Sequence, residues 1–209
     1  TSRFTCLTGR QGLPPFWSLG YITSRYGYHN RQETLGAVDT LRRHGYPVDG
    51  IVLDLYWYGK ETDMGRLEWN ATQFPDHRGM LDSLCRLGVK TILISQPYIN
   101  KTGALDNYNM LRAAGMLTSD AQGQPADVTT WVGEAGMLDI SNPATRQWLA
   151  ARYASLTADG VEGWWGDLGE PEVHPSGIVH HNGMTTEQYH NAYGNEWSRT
   201  VYEMMREQY

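Results

Sequence analysis

Continuous apolar runs recur along the chain, and each of them is followed by a polar segment. They fall at residues 14–22, 48–57 and 89–95 and within residues 160–172. A strand that is buried on both faces gives such a run, because neither of its faces alternates with solvent. The pattern therefore predicts four strands of one sheet, the last of which ends at Asp167.

Helical spacing of apolar residues fills the intervals between these runs. Leu35, Val38 and Leu41 recur at this spacing and predict a helix over residues 31–44. Asn142 is a good N-cap and Pro143 suits the first helical position, so another helix begins there. Further helices are expected at residues 80–87, around 106–114 and after residue 185, and residues 100–141 are otherwise expected to be a long irregular excursion.

One order of elements repeats three times: helix, glycine, a short connection, apolar strand and strand-end polar group. The glycines are Gly45, Gly88 and Gly160, and the strand-end groups are Asp54, Gln96 and Asp167. Helical crossovers between strands make a parallel sheet. Long loops follow the strands and short ones precede them, as on the active face of a (β/α)8 barrel of the TIM type. A doubly wound α/β sheet is the alternative, but the chain lacks a Gly-rich phosphate loop after the first strand.

The length limits how much of a barrel is present. A complete (β/α)8 barrel typically takes about 250 residues, and only four βα units fit into this chain. We therefore expect one partial barrel domain over residues 1–209 that supplies roughly the first four units. Open sheet edges invite pairing, so self-association or contact with the missing barrel half is expected.

Composition and charge narrow the class of protein. Hydrophobic residues make up 40% and charged residues 19% of the chain, as in globular proteins. The net charge of −6, with no basic run, argues against a nucleic-acid partner. No apolar run is long enough to span a membrane. The first residues lack the layout of a signal peptide, so the compartment stays open, although a periplasmic or secreted parent protein is favoured.

Three carboxylates converge at the end of the fourth predicted strand. Asp167, Glu170 and Glu172 follow Trp164 and Trp165 closely. Two positioned carboxylates are what the cleavage of a glycosidic bond uses, and tryptophan faces suit sugar rings while excluding water. Alternatively, the two glutamates are solvated loop charges. The residues thus favour a site that handles sugars, centred on Asp167.

Four histidines near the C-terminus raise the question of a metal. No H-x-x-x-H spacing occurs among His174, His180, His181 and His190. The two cysteines, Cys6 and Cys85, lie too far apart along the chain to have the spacing of metal ligands. Solvated or pocket-rim positions are therefore expected for these histidines instead of a metal site. No cofactor is expected.

Residues 164–171, Trp-Trp-Gly-Asp-Leu-Gly-Glu-Pro, resemble the nucleophile segment of glycoside hydrolase family 31, which contains α-glucosidases and α-xylosidases. Residues 14–20 and 53–57 resemble the first and second barrel strands of that family, and residues 138–143 resemble the segment before its fourth strand. The resemblance covers nearly the whole chain. The sequence of residues 166–172, Gly-Asp-Leu-Gly-Glu-Pro-Glu, is most similar to that of bacterial oligosaccharide 4-α-glucosyltransferases.

The resemblance implies roles for particular residues. Asp167 would be the nucleophile that forms a glucosyl-enzyme intermediate, and Asp54 would hydrogen-bond the distal hydroxyls of the sugar. Trp131, Trp165 and Ile99 would line the same subsite. In α-xylosidases a lysine commonly stands two residues before the nucleophile, so Trp165 in this place favours glucose over xylose. An oligosaccharide with α-linked glucose is the implied substrate.

The acid/base partner of Asp167 is not among the matched residues. In the family it is an aspartate on a later segment, so the isolated 209-residue chain is expected to be inactive. Glu170 is grouped with the substrate-binding residues. It is a poor substitute acid, because it lies three residues from the nucleophile.

Three alternatives to an α-glucosidase or α-transglucosylase stay open. The first is an α-xylosidase of the same family. The second is a half-barrel that binds carbohydrate without activity of its own, and the lack of the acid/base residue favours it for the isolated chain. The third, a metal-dependent hydrolase, would lose activity to chelators.

Overall fold

The computed structural model describes residues 2–208 and contains both helices and strands. Thr1 and Tyr209, the two ends of the domain expected over residues 1–209, lie outside the described residues. The elements in chain order are α1 (Ser2–Thr8), β1 (Ile22–Thr23), α2 (Arg31–Arg43), β2 (Gly50–Leu53), α3 (His77–Arg86), β3 (Lys90–Ser95), β4 (Tyr98–Asn100), α4 (Leu105–Ala113), β5 (Ser119–Asp120), β6 (Val128–Thr130), β7 (Gly133–Met137), α5 (Pro143–Ala158), β8 (Gly163–Gly166), β9 (Ile178–Val179) and α6 (Thr186–Gln208).

The main sheet has four strands in the order β1-β2-β3-β8, and every neighbouring pair is parallel. Gly50 pairs with Lys90, and Ile92 pairs with Gly163. Helices α2, α3 and α5 lie on the connections between consecutive strands, and α6 follows the last strand and packs against α5. The predicted parallel α/β sheet with helical crossovers is thereby confirmed.

Burial of the strands explains the continuous apolar runs. All four residues of β2 are buried, and Leu53 and Leu93 of neighbouring strands are completely inaccessible. Val38 of α2 and Leu84 of α3 belong to the same core. Each such side chain contributes about 1.5–3 kcal/mol when it leaves water, so the contact between sheet and helices sets the architecture.

Side-chain caps set the starts of the helices. The Asn142 side chain accepts the Ala144 N–H at 2.9 Å, which confirms the predicted start of α5. Helix α3 begins at His77, three residues before the predicted start at residue 80. The reason is a second cap, since the Asp76 carboxylate accepts the Gly79 N–H at 3.1 Å.

The prediction of a strand over residues 14–22 is wrong. Phe16–Leu19 forms a 3₁₀ turn, and only Ile22–Thr23 pairs with β2. Proline cannot donate a ladder hydrogen bond, and the Pro15 carbonyl instead accepts both the N–H and the hydroxyl of Ser18, at 3.0 and 2.7 Å.

The second strand also ends earlier than the predicted residue 57. Asp54 stops it, because its carboxylate accepts the Leu55 N–H at 2.7 Å and starts a 3₁₀ turn over Leu55–Trp57. The Trp57 indole then donates to the Ile94 carbonyl at 3.0 Å and packs the turn against β3. The strand end at the candidate site is thus set by the acid itself.

The excursion between β3 and α5 is more regular than expected. Strands β4, β7 and β6 form an antiparallel sheet, and α4 falls within one residue of its predicted position. Asp127 joins these elements: its carboxylate accepts hydrogen bonds from Lys101 at 2.8 Å, from Tyr108 at 2.8 and 2.9 Å and from Arg112 at 2.6 Å. Helix α1, which the apolar pattern did not predict, buries no residue.

No helix within residues 2–208 is long and apolar enough to cross a membrane.

Replacing Asp127 by Asn should destabilise the chain by about 2–4 kcal/mol, because Lys101 and Arg112 would lose the charge that compensates them. The matched control is Asp39→Asn, which breaks an exposed ion pair with Arg43 on α2 and should cost at most about 1 kcal/mol. Urea unfolding of the full chain measures both. Equal losses in the two variants would show that Asp127 does not hold the excursion together.

Candidate active site

Three parallel strands are followed by a polar side chain at one edge of the sheet. Asp54, Gln96 and Asp167 come directly after β2, β3 and β8. The Asp167 N–H donates to the Ser95 carbonyl at 2.9 Å, so the parallel ladder continues one residue beyond β8. Because the carboxyl ends of parallel strands share an edge, both predicted acids lie at the edge where active sites of such barrels form.

Alternation along β8 shows which way these side chains face. The Trp164 ring lies 4.1 Å, between ring centroids, from Tyr153 of α5, so Trp164 faces the helices. Successive strand residues point to opposite faces. Trp165 and Asp167 therefore face the other side of the sheet, the interior of the barrel.

Asp54 is a buried acid with one strong local hydrogen bond. Only 7% of the residue is exposed, and the Leu55 N–H donates to it. Burial raises the pKa of Asp54, the hydrogen bond from Leu55 opposes the rise, and the negative charge of Asp167 adds to it. The two strand-end acids are therefore close enough to interact electrostatically.

Asp167 is partly buried and stands where the strand turns into a loop. Burial raises the pKa of Asp167, the Leu168 N–H lowers it, and the charge of Glu170 raises it. Leu168 has a φ of +57°, in the left-handed region that a branched side chain rarely adopts. Strained backbone of this kind collects at functional sites, which is consistent with a chemical role for Asp167.

Helix α6 packs closely over the loop that carries Glu170. A Cβ atom at Gly169 would lie 2.2 Å from Cζ3 of Trp197, and one at Gly194 would lie 2.9 Å from the Gly169 carbonyl oxygen. The two glycines allow this approach. Glu170 itself is exposed and acts on Asp167 through its charge.

The three predicted lining residues differ in exposure. Trp131 stands in the turn between β6 and β7 and is 56% exposed, and Trp165 is 37% exposed. Ile99 is completely buried and fits against Gly65, where an added Cβ would lie 2.7 Å from the Ile99 Cδ1. The exposed faces of the two tryptophans are available to a ligand, whereas Ile99 of β4 is part of the buried core.

Gln96 is a strand-end residue that the sequence did not mark as part of a site. It is 2% exposed and accepts a hydrogen bond from the buried Tyr58 hydroxyl at 3.3 Å. Among the described residues, none bonds to its amide nitrogen. One sequence signal could have identified Gln96: it directly follows β3, the strand between those that Asp54 and Asp167 follow.

A cavity of about 420 Å³ opens beside β8. The rings of Tyr153, Trp164 and Trp197 line it together with Asp167 and Glu170. Within residues 2–208, β8 has a strand neighbour on one side only. The cavity therefore lies along the open edge of the sheet and has the aromatic walls that a further barrel strand would cover.

One of the four histidines, His180, is placed differently from the prediction. His180 is 2% exposed, so a solvated or rim position is wrong for this residue. Its Nδ1 lies 3.1 Å from the Asp139 carboxylate and its Nε2 lies 2.8 Å from Nε2 of His174. His181 is exposed as expected. No group of three potential ligands in residues 2–208 is arranged to hold a metal ion.

These observations define a class of protein: a parallel α/β sheet of the barrel type, with a pair of interacting carboxylates at its carboxyl edge and tryptophans nearby. Such a site suits the binding and cleavage of sugars.

Comparison with known proteins identifies the family. Residues 11–209 match the TIM-barrel domain of glycosyl hydrolases family 31. The chain belongs to this family.

Individual relatives support the same assignment. The α-xylosidase XylQ of Lactiplantibacillus pentosus is 30% identical over 99% of this chain and 27% of its own length. Human neutral α-glucosidase AB is 31% identical over 92% of this chain and 21% of its own length. The structure of the Flavobacterium johnsoniae GH31 dextranase complexed with glucose superposes with a TM-score of 0.89 at 26% identity, over 99% of this chain and 26% of the dextranase. The chain thus spans about a quarter of the length of these relatives, as expected for part of a barrel.

Proposed function

We propose that the protein acts on α-linked glucosides by a retaining mechanism in which Asp167 is the nucleophile. The observation that carries the proposal is the position of Asp167, at the carboxyl edge of a family 31 barrel sheet, where its negative charge helps to raise the pKa of the buried Asp54. The names of the relatives include α-glucosidases, an α-xylosidase and a dextranase. The names of the first two kinds refer to α-linked sugars, and the dextranase structure contains glucose.

The proposed reaction has two steps. A carboxylate oxygen of Asp167 forms a bond to the anomeric carbon while the glycosidic C–O bond breaks, and a second carboxylic acid protonates the leaving oxygen. Water or a sugar hydroxyl then gives its proton to that second group and displaces Asp167. We place the second group on a later barrel segment, since Glu170 is exposed and lies on the same loop as the nucleophile.

Asp54 and the tryptophans orient the sugar in this proposal. The buried carboxylate of Asp54 accepts hydrogen bonds from the distal hydroxyls, a charge-assisted contact that is worth about 1.5–3 kcal/mol. Trp131 and Trp165 offer exposed ring faces for the apolar faces of the sugar. Trp165, two residues before the nucleophile, favours glucose over xylose. Transfer to a sugar hydroxyl, as in a transglucosylase, is a variant of the second step.

A fluorinated α-glucosyl trapping reagent tests the proposal in a protein that combines this chain with the remaining barrel units. The slow second step should leave the label on the peptide that contains Asp167. Asp167→Asn should lose the label and lower kcat/KM by about 10⁴-fold or more, because it removes the nucleophile. Glu172→Gln is the control and should keep the label.

A label on any other residue would contradict the role of Asp167. Stronger trapping by the matching xylosyl reagent would favour the α-xylosidase alternative. Sugar binding without trapping or turnover would favour a carbohydrate-binding module.

We further propose that the open edge of β8 is a contact surface for the remaining barrel half or for a second copy of the chain. The unpaired strand edge and the aromatic cavity beside it support this proposal. Sedimentation of the 209-residue chain should show self-association that depends on concentration. A monomer at all concentrations would contradict it.

A further inference from the structure

Three histidines form a continuous chain that ends on a buried carboxylate. Nδ1 of His180 lies 3.1 Å from Oδ1 of Asp139, Nε2 of His180 lies 2.8 Å from Nε2 of His174, and Nδ1 of His174 lies 3.2 Å from Nδ1 of His190. His180, His174 and His190 are called the histidine chain below. Its members come from the loop over residues 168–185, which contains the two-residue strand β9 paired with β5, and from α6, and Asp139 lies just after β7.

One arrangement of protons satisfies all three contacts when the rings are neutral. His180 donates from Nδ1 to Asp139 and accepts at Nε2, so His174 must donate from Nε2. His174 then accepts at Nδ1, and His190 must donate from Nδ1. The contacts therefore specify the tautomer of each ring.

The same counting limits how many protons the histidine chain can hold. Each nitrogen–nitrogen contact needs one proton, and the contact to Asp139 needs one more. The remaining nitrogen, Nε2 of His190, has room for a fourth. A single extra proton therefore fits, but a second extra proton puts two N–H groups face to face and breaks a contact.

The surroundings favour the neutral form of the central ring. Burial lowers the pKa of His174 to about 4, and the neighbouring rings of His180 and His190 lower it as well, while Glu187 and Asp139 oppose them. Burial alone would raise the pKa of Asp139, but hydrogen bonds from His180 and Ser141 outweigh it and lower the pKa. The titratable and charged groups that act on the histidine chain and on its aromatic neighbours are Asp139, Arg146, Glu187, Glu196 and four tyrosines, Tyr98, Tyr153, Tyr189 and Tyr193.

The histidine chain holds the loop that begins directly after Asp167. Further along this loop the His181 N–H donates to Oδ2 of Asp139 at 2.7 Å, and the Asn182 N–H donates to the Ser141 hydroxyl at 3.2 Å. Nearer to Asp167, the Val173 N–H bonds to the Tyr98 hydroxyl at 2.7 Å. The contact between His174 and His180 joins the part of the loop that is held at Tyr98 to the part that is held at Asp139.

We propose that the histidine chain is a latch, which fastens the loop over residues 168–185 to Asp139 while its rings are neutral and releases the loop in acid. The three histidines are positioning residues for the edge at which Asp167 and Glu170 lie. The latch is independent of the proposed function, whereas its influence on catalysis rests on that function.

The direction of the pH dependence follows from the central histidine. When the latch is open, His174 takes up a proton near its ordinary pKa of 6.5, whereas in the latched loop its pKa is about 4. The open form thus binds more protons between these pH values, and the latch weakens as the pH falls through this window. Above pH 6.5 its stabilising effect is complete.

Hydrogen exchange and ¹⁵N NMR of the full chain test the latch. At neutral pH the spectra should show His180 and His190 protonated at Nδ1 and His174 protonated at Nε2. Protection factors of the Val173 and Asn182 amides, corrected for intrinsic exchange rates, should be constant above pH 6.5 and should fall as the pH is lowered towards 4.

The variant His174→Leu should lower these protection factors about tenfold already at neutral pH, since it removes both hydrogen bonds of the central ring. His181→Gln is the matched control, because it changes an exposed ring on the same loop and should leave the protection unchanged. Other tautomers, or protection that is independent of pH in the unmodified chain, would overturn the latch. So would equal protection in His174→Leu and the unmodified chain.

The two proposals can fail separately. Loss of loop protection in acid with no trapping on Asp167 would support the latch and contradict the proposed function. Trapping on Asp167, with loop protection that changes neither with pH nor in His174→Leu, would support the proposed function and contradict the latch.

Discussion

The parallel register of β2, β3 and β8 is the constraint on which the rest of the structure depends. Leu53 pairs with Leu93, and Ser95 pairs with Gly166, so the strands finish at one edge. A slip of one residue would turn every side chain of a strand to the opposite face. It would move Asp167 from the barrel interior to the helix side and separate it from Asp54. Core burial and the position of the acids are therefore two results of the same register.

The surroundings of Asp167 show how the chain maintains this edge. A left-handed Leu168 follows the end of the strand, α6 packs on Gly169 through Trp197, and the following loop is held at Tyr98 and at Asp139. Long-range contacts from three different segments thus position one short stretch. A rigid support of this kind suits the proposed role of Asp167, in which the carboxylate must meet an anomeric carbon with little reorganisation.

The sequence predicted the parts of the fold that depend on local patterns. The apolar runs indicated the parallel strands, and Asn142 indicated the start of α5. Residues 14–22 were misread because an apolar run does not distinguish a strand from the turn that Pro15 and Ser18 form. Asp127 joins the elements of the excursion through partners that lie 15 to 26 residues away in sequence. The burial of His180 likewise depends on Asp139, 41 residues earlier, so neither was visible in the local pattern.

Asp54 and Asp167 share one site in this structure, and the pKa of Asp54 reports on the charge of Asp167. Titration of the Asp54 carboxyl by ¹³C NMR in the unmodified chain and in Asp167→Asn measures the coupling. We expect a lower pKa of Asp54 in Asp167→Asn, because the variant removes a negative charge that raises it. Glu170→Gln, which removes a charge from the same loop, should have the smaller effect. An unchanged pKa of Asp54 in Asp167→Asn would contradict the shared site.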